Sequence, residues 1–353
     1  MPAAAQVAPP IASADSSAPG DRALAAAKLD ETARFYRDTM TFPLWSRPAD
    51  GSNQHITNWN RAISTDQTFA EDAAKQEIRA RAELDRVFVG PGQAITVQVS
   101  ASYVATGAPA PVDQVEAELQ ARAPGGEDWF AVQPMPLTVQ GSGWTSSIIP
   151  SRISALRDAL RETRILIFIK VGEFSRELTL DFRYAAGVPV IIKGIRAERV
   201  VEGSLELDLG VDLKQVATVA LQATLFAADG QTAIAVFDDR FFPTQAGAQV
   251  FTARFFGKIL HDRGIDGPYV LGAVHGYVYL RDQEPDQLFF EHPAEPKLVT
   301  APHRASEFSA DAYDSPELAA RLAHYQAVRD ALLAGRPPPP PPPSFYPPAP
   351  TSP

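Results

Sequence analysis

Cysteine is absent from the chain. Its absence excludes disulfide bonds, zinc-thiolate sites and cysteine nucleophiles, so an exported form would be stabilised by core packing alone. Positive charge is in the minority, because 32 lysines and arginines face 42 aspartates and glutamates, for a net charge of −10. We therefore expect no binding to nucleic acid or to anionic membrane surfaces. No apolar run reaches the length of a transmembrane helix, so no membrane insertion is expected.

The composition that is present is typical of globular protein. The chain has 353 residues, of which 45% are hydrophobic and 21% are charged, enough for two or three domains. Residues 1–27 are small and rich in proline and alanine, which predicts a disordered leader. This stretch is not a signal peptide, but it is similar to the stretch that follows a cleaved one. We expect a periplasmic or cell-surface protein, with a cytoplasmic protein as the alternative.

A period of two in the hydrophobic pattern predicts a mainly β fold. We divide the pattern into two tandem immunoglobulin-like β-sandwiches, at residues 85–184 and 185–297. The stretches 144–171 and 251–278 share one order: aromatic strand, breaker, short helix, apolar strand. They lie about 100 residues apart, the size of one such sandwich. In the second copy Lys258–Arg263 forms the helix, and Val270, Gly272, Val274, Gly276, Val278 and Leu280 share one strand face.

The flanking regions show other patterns. Residues 28–84 read as a helical N-terminal cap, with a short helix predicted over 69–84, which is rich in alanine and glutamate. Residues 298–335 read as a linker and one amphipathic C-terminal helix, which opens near Asp314 and stops at Gly335. Residues 336–353 form a proline-rich tail that we expect to be disordered or polyproline II.

Three segments of the second sandwich carry a family resemblance. Leu225–Gly230, Phe255–Leu260 and Gly264–Tyr269 resemble the immunoglobulin-like domain of exported bacterial proteins grouped as "choice-of-anchor X". The segment Phe35–Pro43 is similar to the N-terminal part of that family. The resemblance implies a surface-exposed or periplasmic module with no established catalysis.

Candidate binding residues lie on one strand and in the tail. His275, Tyr277 and Tyr279 share the face opposite the valines and glycines, where they can stack on a sugar ring or contact a protein. The alternative is that another part of the chain covers this face. In the tail, Phe345 and Tyr346 extend the polyproline run and offer two aromatic rings for docking.

One pair of carboxylates suggests a cation site. Glu206 and Asp208 lie two residues apart on a predicted strand, so their side chains share a face about 6.6 Å apart. Calcium needs six to eight oxygen ligands, so loops must supply the others. The alternative is a solvated acidic face. Apart from this possible calcium ion, the sequence indicates no cofactor.

The function that these patterns favour is binding rather than catalysis. The chain has no G-x-S-x-G elbow, no H-E-x-x-H helix and no P-loop. We expect a non-enzymatic module that engages a partner protein or polysaccharide through a sandwich face, an edge strand or the tail. The alternative is a hydrolase with a site between the N-terminal cap and the first sandwich, formed by His55 and nearby carboxylates.

Overall fold

A computed structural model describes residues 19–39, 41–69, 77–122, 128–156, 161–172, 174–280, 287–293 and 295–340. Phe345 and Tyr346 lie outside these ranges, as do residues 1–18 of the predicted leader and 341–353 of the predicted tail. The chain divides into two compact units. The first combines Met1–Leu44 with Ala310–Pro353, and the second is Trp45–Ser309.

The described part contains four α-helices and nineteen strands. The helices are α1 Pro19–Thr39, α2 Gln54–Thr57, α3 Gly257–Arg263 and α4 Pro316–Leu333. The strands are β1 Ser46–Pro48, β2 Ile63–Phe69, β3 Ile78–Leu84, β4 Phe88–Val89, β5 Ile95–Tyr103, β6 Gln114–Arg122, β7 Trp129–Met135, β8 Thr138–Gln140, β9 Gly143–Ile148, β10 Arg161–Val171, β11 Phe174–Tyr184, β12 Val190–Val201, β13 Ser204–Leu213, β14 Thr218–Phe226, β15 Ala233–Phe241, β16 Gly247–Phe255, β17 Val270–Tyr279, β18 Gln287–Glu291 and β19 Leu298–Val299. None of the described helices is long and apolar enough to cross a lipid bilayer.

The first unit is built on α1 and α4. Small and aliphatic side chains are buried in it, namely Ala26, Ala33, Val328, Ala331 and Leu332. Arg329 forms an ion pair with Asp30 at 2.9 Å, and Gly335 ends α4 with φ of 64°. Helix α1 begins at Pro19, so the prediction of disorder up to residue 27 is wrong over 19–27. The alanine-rich turn at 23–27 has high helix propensity, and contact with α4 stabilises it.

The first sandwich pairs two five-stranded sheets, ordered β2-β3-β5-β9-β8 and β4-β11-β10-β6-β7. Its core comes from alternate residues of the strands in each sheet. Ile165 of β10, for example, lies between Leu119 of β6 and Leu180 of β11 in the same sheet and is fully buried. The short helix predicted within 144–171, which the hydrophobic pattern places at residues 151–161, begins instead as two 3-10 turns, Pro150–Arg152 and Ser154–Leu156. Residues 157–160 of that stretch lie outside the described ranges.

The prediction of a helical cap over 28–84 is wrong for its second half. Strands β2 and β3 belong to the first sandwich, and β3 buries Ile78, Ala80, Ala82 and Leu84 while Arg79 and Arg81 are exposed. That alternation is visible in the sequence, but alanine, arginine and glutamate have high helix propensity and masked it. Pairing of β3 with β2 on one side and with β5 on the other decided its conformation, because tertiary contacts override weak local preferences.

The second sandwich faces a three-stranded sheet, β12-β13-β16, against a six-stranded sheet. The six-stranded sheet has the order β1-β15-β14-β17-β18, with β19 also paired to β17. The chain crosses from one sheet to the other through β16, α3 and β17, as the pattern predicts, and Gly264 ends α3 in the left-handed conformation. The fold class is confirmed: two tandem immunoglobulin-like sandwiches, mainly β, with a helix near each end.

The second sandwich also includes segments that the sequence pattern assigned to the N-terminal cap and to the linker. Strand β1, which lies in the predicted cap, pairs with β15, and Ile56 of α2 packs against Val236. Strand β19 pairs with β17, and Ser309 donates a backbone hydrogen bond to Gly203, so residues 298–309 are not a free linker. Strands β1 and β19 are held in the sheet by hydrogen bonds to neighbouring strands, and each is too short to show a period of two in the sequence.

A β-bulge in β17 alters the predicted strand face. The register with β14 shifts between the pairs Gln222–His275 and Thr224–Gly272, and Ala273 has φ of 45°. One extra residue reverses the side-chain alternation. Val270 and Gly272 therefore do not share the face of Val274, Gly276 and Val278, which is a correction to the predicted face.

Candidate functional site

The candidate site lies on the outer face of the six-stranded sheet in the second sandwich. His275, Tyr277 and Tyr279 of β17 stand opposite Gln222, Ala220 and Thr218 of β14. Strand β18 adds Phe289 opposite Tyr277 and Glu291 opposite His275. The structure therefore brings the three residues predicted from β17 onto one face, together with an aromatic and an acidic residue from β18.

His275 is not available on this face. It is 4% exposed, and Trp59 stacks on it with ring centroids 4.3 Å apart and an interplanar angle of 4°. Its Nδ1 lies 2.7 Å from the carbonyl oxygen of Ala273. Burial lowers the pKa of His275 to about 4. The binding role predicted for His275 is therefore corrected: its neutral ring packs beneath Trp59, which follows α2.

Tyr277 and Tyr279 form the open part of the face. Their rings meet edge to face with centroids 4.9 Å apart, and their hydroxyl oxygens are 3.0 Å apart. Phe289 lies 5.5 Å from the ring of Tyr277, and the guanidinium of Arg240 lies 5.7 Å from the ring of Tyr279. Burial, followed by the hydrogen bond with Tyr279, raises the pKa of Tyr277 to about 12, so the hydroxyl of Tyr277 acts as a neutral polar group at physiological pH.

Asn60 forms hydrogen bonds that connect strand β18, at the edge of this face, to the first sandwich. Its amide oxygen accepts hydrogen bonds from the backbone N–H groups of Val87 and Phe88 at 3.1 and 2.9 Å. Its amide nitrogen donates to the carbonyl of Phe88 at 3.1 Å and to Oε2 of Glu291 at 3.0 Å. Asn60 therefore bridges strand β4 of one sandwich and strand β18 of the other.

The residues that cover this face were not predicted from the sequence. Trp59 and Asn60 stand in a polar stretch without a period, so no pattern assigned them to a strand face. Arg183 was also missed; its guanidinium lies 4.2 Å from the ring of Phe289. The available signal was the tryptophan itself, because a large aromatic side chain in a polar segment normally packs against something.

The carboxylates proposed for calcium are occupied by arginine. Glu206 forms an ion pair with Arg199 at 2.8 Å and with Arg254 at 3.7 Å. Asp208 is also paired with Arg199 and accepts a hydrogen bond from Thr252 at 2.7 Å. The hydrogen bond from Arg199 is the main reason that the pKa of Asp208 is lowered. This arrangement contradicts a calcium site at the pair, and the described residues contain no group of three or more potential metal-ligating side chains.

The alternative hydrolase site is not assembled where it was expected. His55 is exposed on α2, which packs against β14 and β15 of the second sandwich rather than against the first. Within the described ranges no carboxylate forms a hydrogen bond or ion pair with His55. Its position therefore contradicts a catalytic site between an N-terminal cap and the first sandwich.

A second concave feature lies near the same sheet. A groove of about 730 Å³ separates the first six residues of β12 from β18, β19 and the turn between them. The turn at 88–93 of the first sandwich and the connection at 187–188 close its remaining sides. The groove wall is mainly apolar, with Lys193 and Lys297 among its few charged residues.

Comparisons with known proteins show similarity to solved structures alone. No protein-family model matches the chain, and no curated protein matches it. A DUF4785 family protein from Legionella pneumophila subsp. pneumophila str. Philadelphia 1 is 17% identical, with a TM-score of 0.40, over 65% of this chain and 57% of that chain. The D1–D4 ectodomain fragment of ICAM-5 is 14% identical, with a TM-score of 0.22, over 63% of this chain and 50% of that chain.

A third similar structure contains the three N-terminal domains of the highly immunogenic outer capsid protein of bacteriophage RB49. It is 9% identical, with a TM-score of 0.20, over 69% of this chain and 88% of that chain. The chain spans 57% and 50% of the length of the first two structures. None of these similarities bears on the choice-of-anchor resemblance.

Proposed function

We propose that the chain is a non-enzymatic binding module of the bacterial cell envelope, placed in the periplasm or at the cell surface. Its ligand is a polysaccharide, bound on the outer face of the six-stranded sheet at Tyr277 and Tyr279. The observation that carries the proposal is this tyrosine pair, which the fold holds in an edge-to-face contact on a sheet exterior.

The chemistry of the face suits a sugar. Aromatic rings pack against the apolar C–H face of a pyranose, while hydroxyl and charged groups around them bind its hydroxyls. Here the two phenol hydroxyls, the guanidinium of Arg240 and the exposed carboxylate of Asp238 surround the rings. Ala220 lies between Tyr277 and Arg240 in the sheet and is itself buried, so the side chains around it form the accessible surface.

Placement outside the cytoplasm rests on the sequence. The alanine- and proline-rich residues before α1 and the resemblance to choice-of-anchor X domains support it. Fractionation of the native host tests this part separately. Recovery of the chain with periplasmic or surface proteins supports the proposal, and recovery with cytosolic proteins contradicts it.

The sugar-binding part is tested on an array of bacterial surface polysaccharides probed with the whole chain. Replacing Tyr279 with alanine removes one ring worth about 1–2 kcal/mol of contact, so we expect the affinity to fall by about five- to thirtyfold. Phe168→Ala is the matched control, because it removes an exposed ring from the first sandwich. Absence of binding by the wild type, or equal binding by Tyr279→Ala and wild type, contradicts the proposal.

A further inference from the structure

The groove beside β12 is a second site, and its chemistry differs from that of the tyrosine face. We infer that it binds an extended segment of a partner protein, which adds as a strand to β18 and carries carboxylates toward Lys193 and Lys297. This inference does not depend on the proposed sugar-binding face.

Strand β18 offers the hydrogen-bonding edge. It is the last strand of the main path of its sheet, so one side pairs with β17 and, among the described strands, none pairs with the other side. Gln287–Glu291 contains neither proline nor a bulge, and its five residues match β17 in continuous register. An open edge of this kind presents unpaired N–H and C=O groups, which an extended peptide satisfies.

Strand β12 forms the opposite wall but is not a pairing edge. Its register with β13 shifts around Lys193 and again around Arg196, and Gly194 has φ of 135°. Bulges of this kind interrupt the spacing of edge N–H and C=O groups and prevent further pairing. Strand β12 therefore contributes apolar side chains, with Ile192 buried and Ile195 half-buried at the groove.

The floor of the groove favours apolar side chains at alternate positions of the bound segment. Phe290 and Leu298 line it and are 1% and 5% exposed, so they belong to the sandwich core. An incoming strand places every second side chain toward this floor. Phe289–Glu291 are the residues of β18 that line the groove, so about 10 Å of a bound segment lies along them at 3.4 Å per residue.

The charged residues at the groove indicate which charge the bound segment carries. Lys193 and Lys297 are exposed, and neither forms an ion pair with a described carboxylate. Glu291, the acidic residue of the same wall, is engaged by the amide of Asn60. Asp212 is ion-paired with Lys214, which is the main cause of its lowered pKa, and Lys193 contributes to that lowering. Two exposed ammonium groups beside an apolar groove therefore complement an apolar segment that carries carboxylates, and they disfavour a basic one.

The test uses the whole chain and fluorescence anisotropy with a labelled seven-residue peptide, in which valine and threonine alternate between aspartate ends. We expect saturable binding, and at least about tenfold weaker binding of the same peptide with lysine ends. A third peptide with N-methyl groups on alternate amides cannot donate to the edge and is expected not to bind. The double variant Lys193→Glu/Lys297→Glu is expected to reverse the preference between aspartate and lysine ends.

A second experiment uses a variant that fills the groove and is expected to leave the fold intact. Gly187 lines the groove, and a Cβ there meets no atom within 4 Å, so Gly187→Trp is expected to fold and to abolish peptide binding. Gly51→Trp is the matched control, because its Cβ also meets no atom within 4 Å and it does not line the groove. The inference is overturned if the aspartate peptide does not bind, if charge reversal has no effect, or if the N-methylated peptide binds equally. A concentration-dependent dimer that Gly187→Trp disrupts would make a second copy the occupant and would also overturn it.

Discussion

The indole of Trp59 lies flat on the imidazole of His275, with 4.3 Å between the ring centroids. This contact removes His275 from solvent and secures the segment after α2 to strand β17. The next residue, Asn60, reaches the first sandwich through Val87 and Phe88. Two consecutive residues thus link three parts of the second compact unit: the α2 segment, β17 and β4.

The Trp59–His275 stack predicts a specific loss of stability in acid. The pKa of folded His275 is about 4, against about 6.5 for an unfolded histidine. Between these values the unfolded chain binds a proton that the folded chain does not. The free energy of unfolding therefore falls by up to about 3 kcal/mol as the pH drops from 6.5 to 4, and this contribution changes no further below pH 4.

The variant His275→Phe tests this assignment. It retains a ring beneath Trp59 and removes the titrating group, so urea unfolding between pH 6.5 and 4 is expected to show a shallower pH dependence. Burial also lowers the pKa of His292, so part of the wild-type dependence remains. An unchanged slope in His275→Phe would show that His275 is not the titrating group.

Replacing Asn60 with alanine is expected to destabilise the joint between the sandwiches. The change removes four hydrogen bonds, three to β4 or its preceding residue and one to Glu291, at a cost of about 2–4 kcal/mol. Burial raises the pKa of Glu291 and the hydrogen bond from Asn60 partly offsets that rise, so the same change is expected to raise the pKa further. Urea unfolding measures the first effect, and NMR titration of the Glu291 carboxyl measures the second. Asn58→Ala, at an exposed asparagine two residues earlier, should change neither.

Gly257 is expected to tolerate no side chain. A Cβ at this position would overlap the carbonyl oxygen of Gly203 and approach the backbone nitrogen of Ser309 to 3.0 Å. Because these neighbours are backbone atoms, Gly257→Ala should cost at least about 3 kcal/mol or prevent folding. Gly51→Ala is the control, since its Cβ meets no atom within 4 Å. Equal midpoints of urea unfolding for the two variants would contradict this close approach.

Calcium is expected to leave the melting temperature unchanged. Arg199 is paired with both Glu206 and Asp208, so the two carboxylates are already compensated. Arg199→Ala leaves Glu206 with Arg254 and Asp208 with Thr252, and we expect a lower melting temperature. Thermal unfolding in calcium chloride and in EDTA checks both statements. A higher melting temperature of the wild type in calcium chloride than in EDTA would contradict this expectation and support a calcium site.

Strong local patterns predicted most of the second sandwich. Helix α3 follows β16 as expected, because Gly257 interrupts the alternation and Gly264 supplies the left-handed residue that ends the helix. The bulge at Ala273 was not predicted, since alanine shows no local preference for a positive φ. That single residue reverses the strand face beyond it, which no count of alternating residues reveals.

The candidate site was predicted in part. The period of two placed Tyr277 and Tyr279 on one face, and the structure keeps them together. The same period placed His275 beside them but carried no information about Trp59, which comes from a segment more than 200 positions earlier in the chain. Likewise, Arg199 compensates Glu206 and Asp208 from the neighbouring strand, where only sheet pairing brings it close.

The sequence alone determined the mainly β class, the two successive sandwiches and the short helix that joins the sheets of the second. Each of these depends on contacts between near neighbours, which leave a period in the hydrophobic pattern. Only the tertiary structure decided that β2 and β3 are strands, that His275 is covered and that a groove lies beside β18. Strand β3 does alternate in the sequence, but its alanine, arginine and glutamate residues favour a helix locally, and pairing with β2 and β5 decided between the two. The covering of His275 and the groove depend on contacts between distant segments, and such contacts leave no period in the chain.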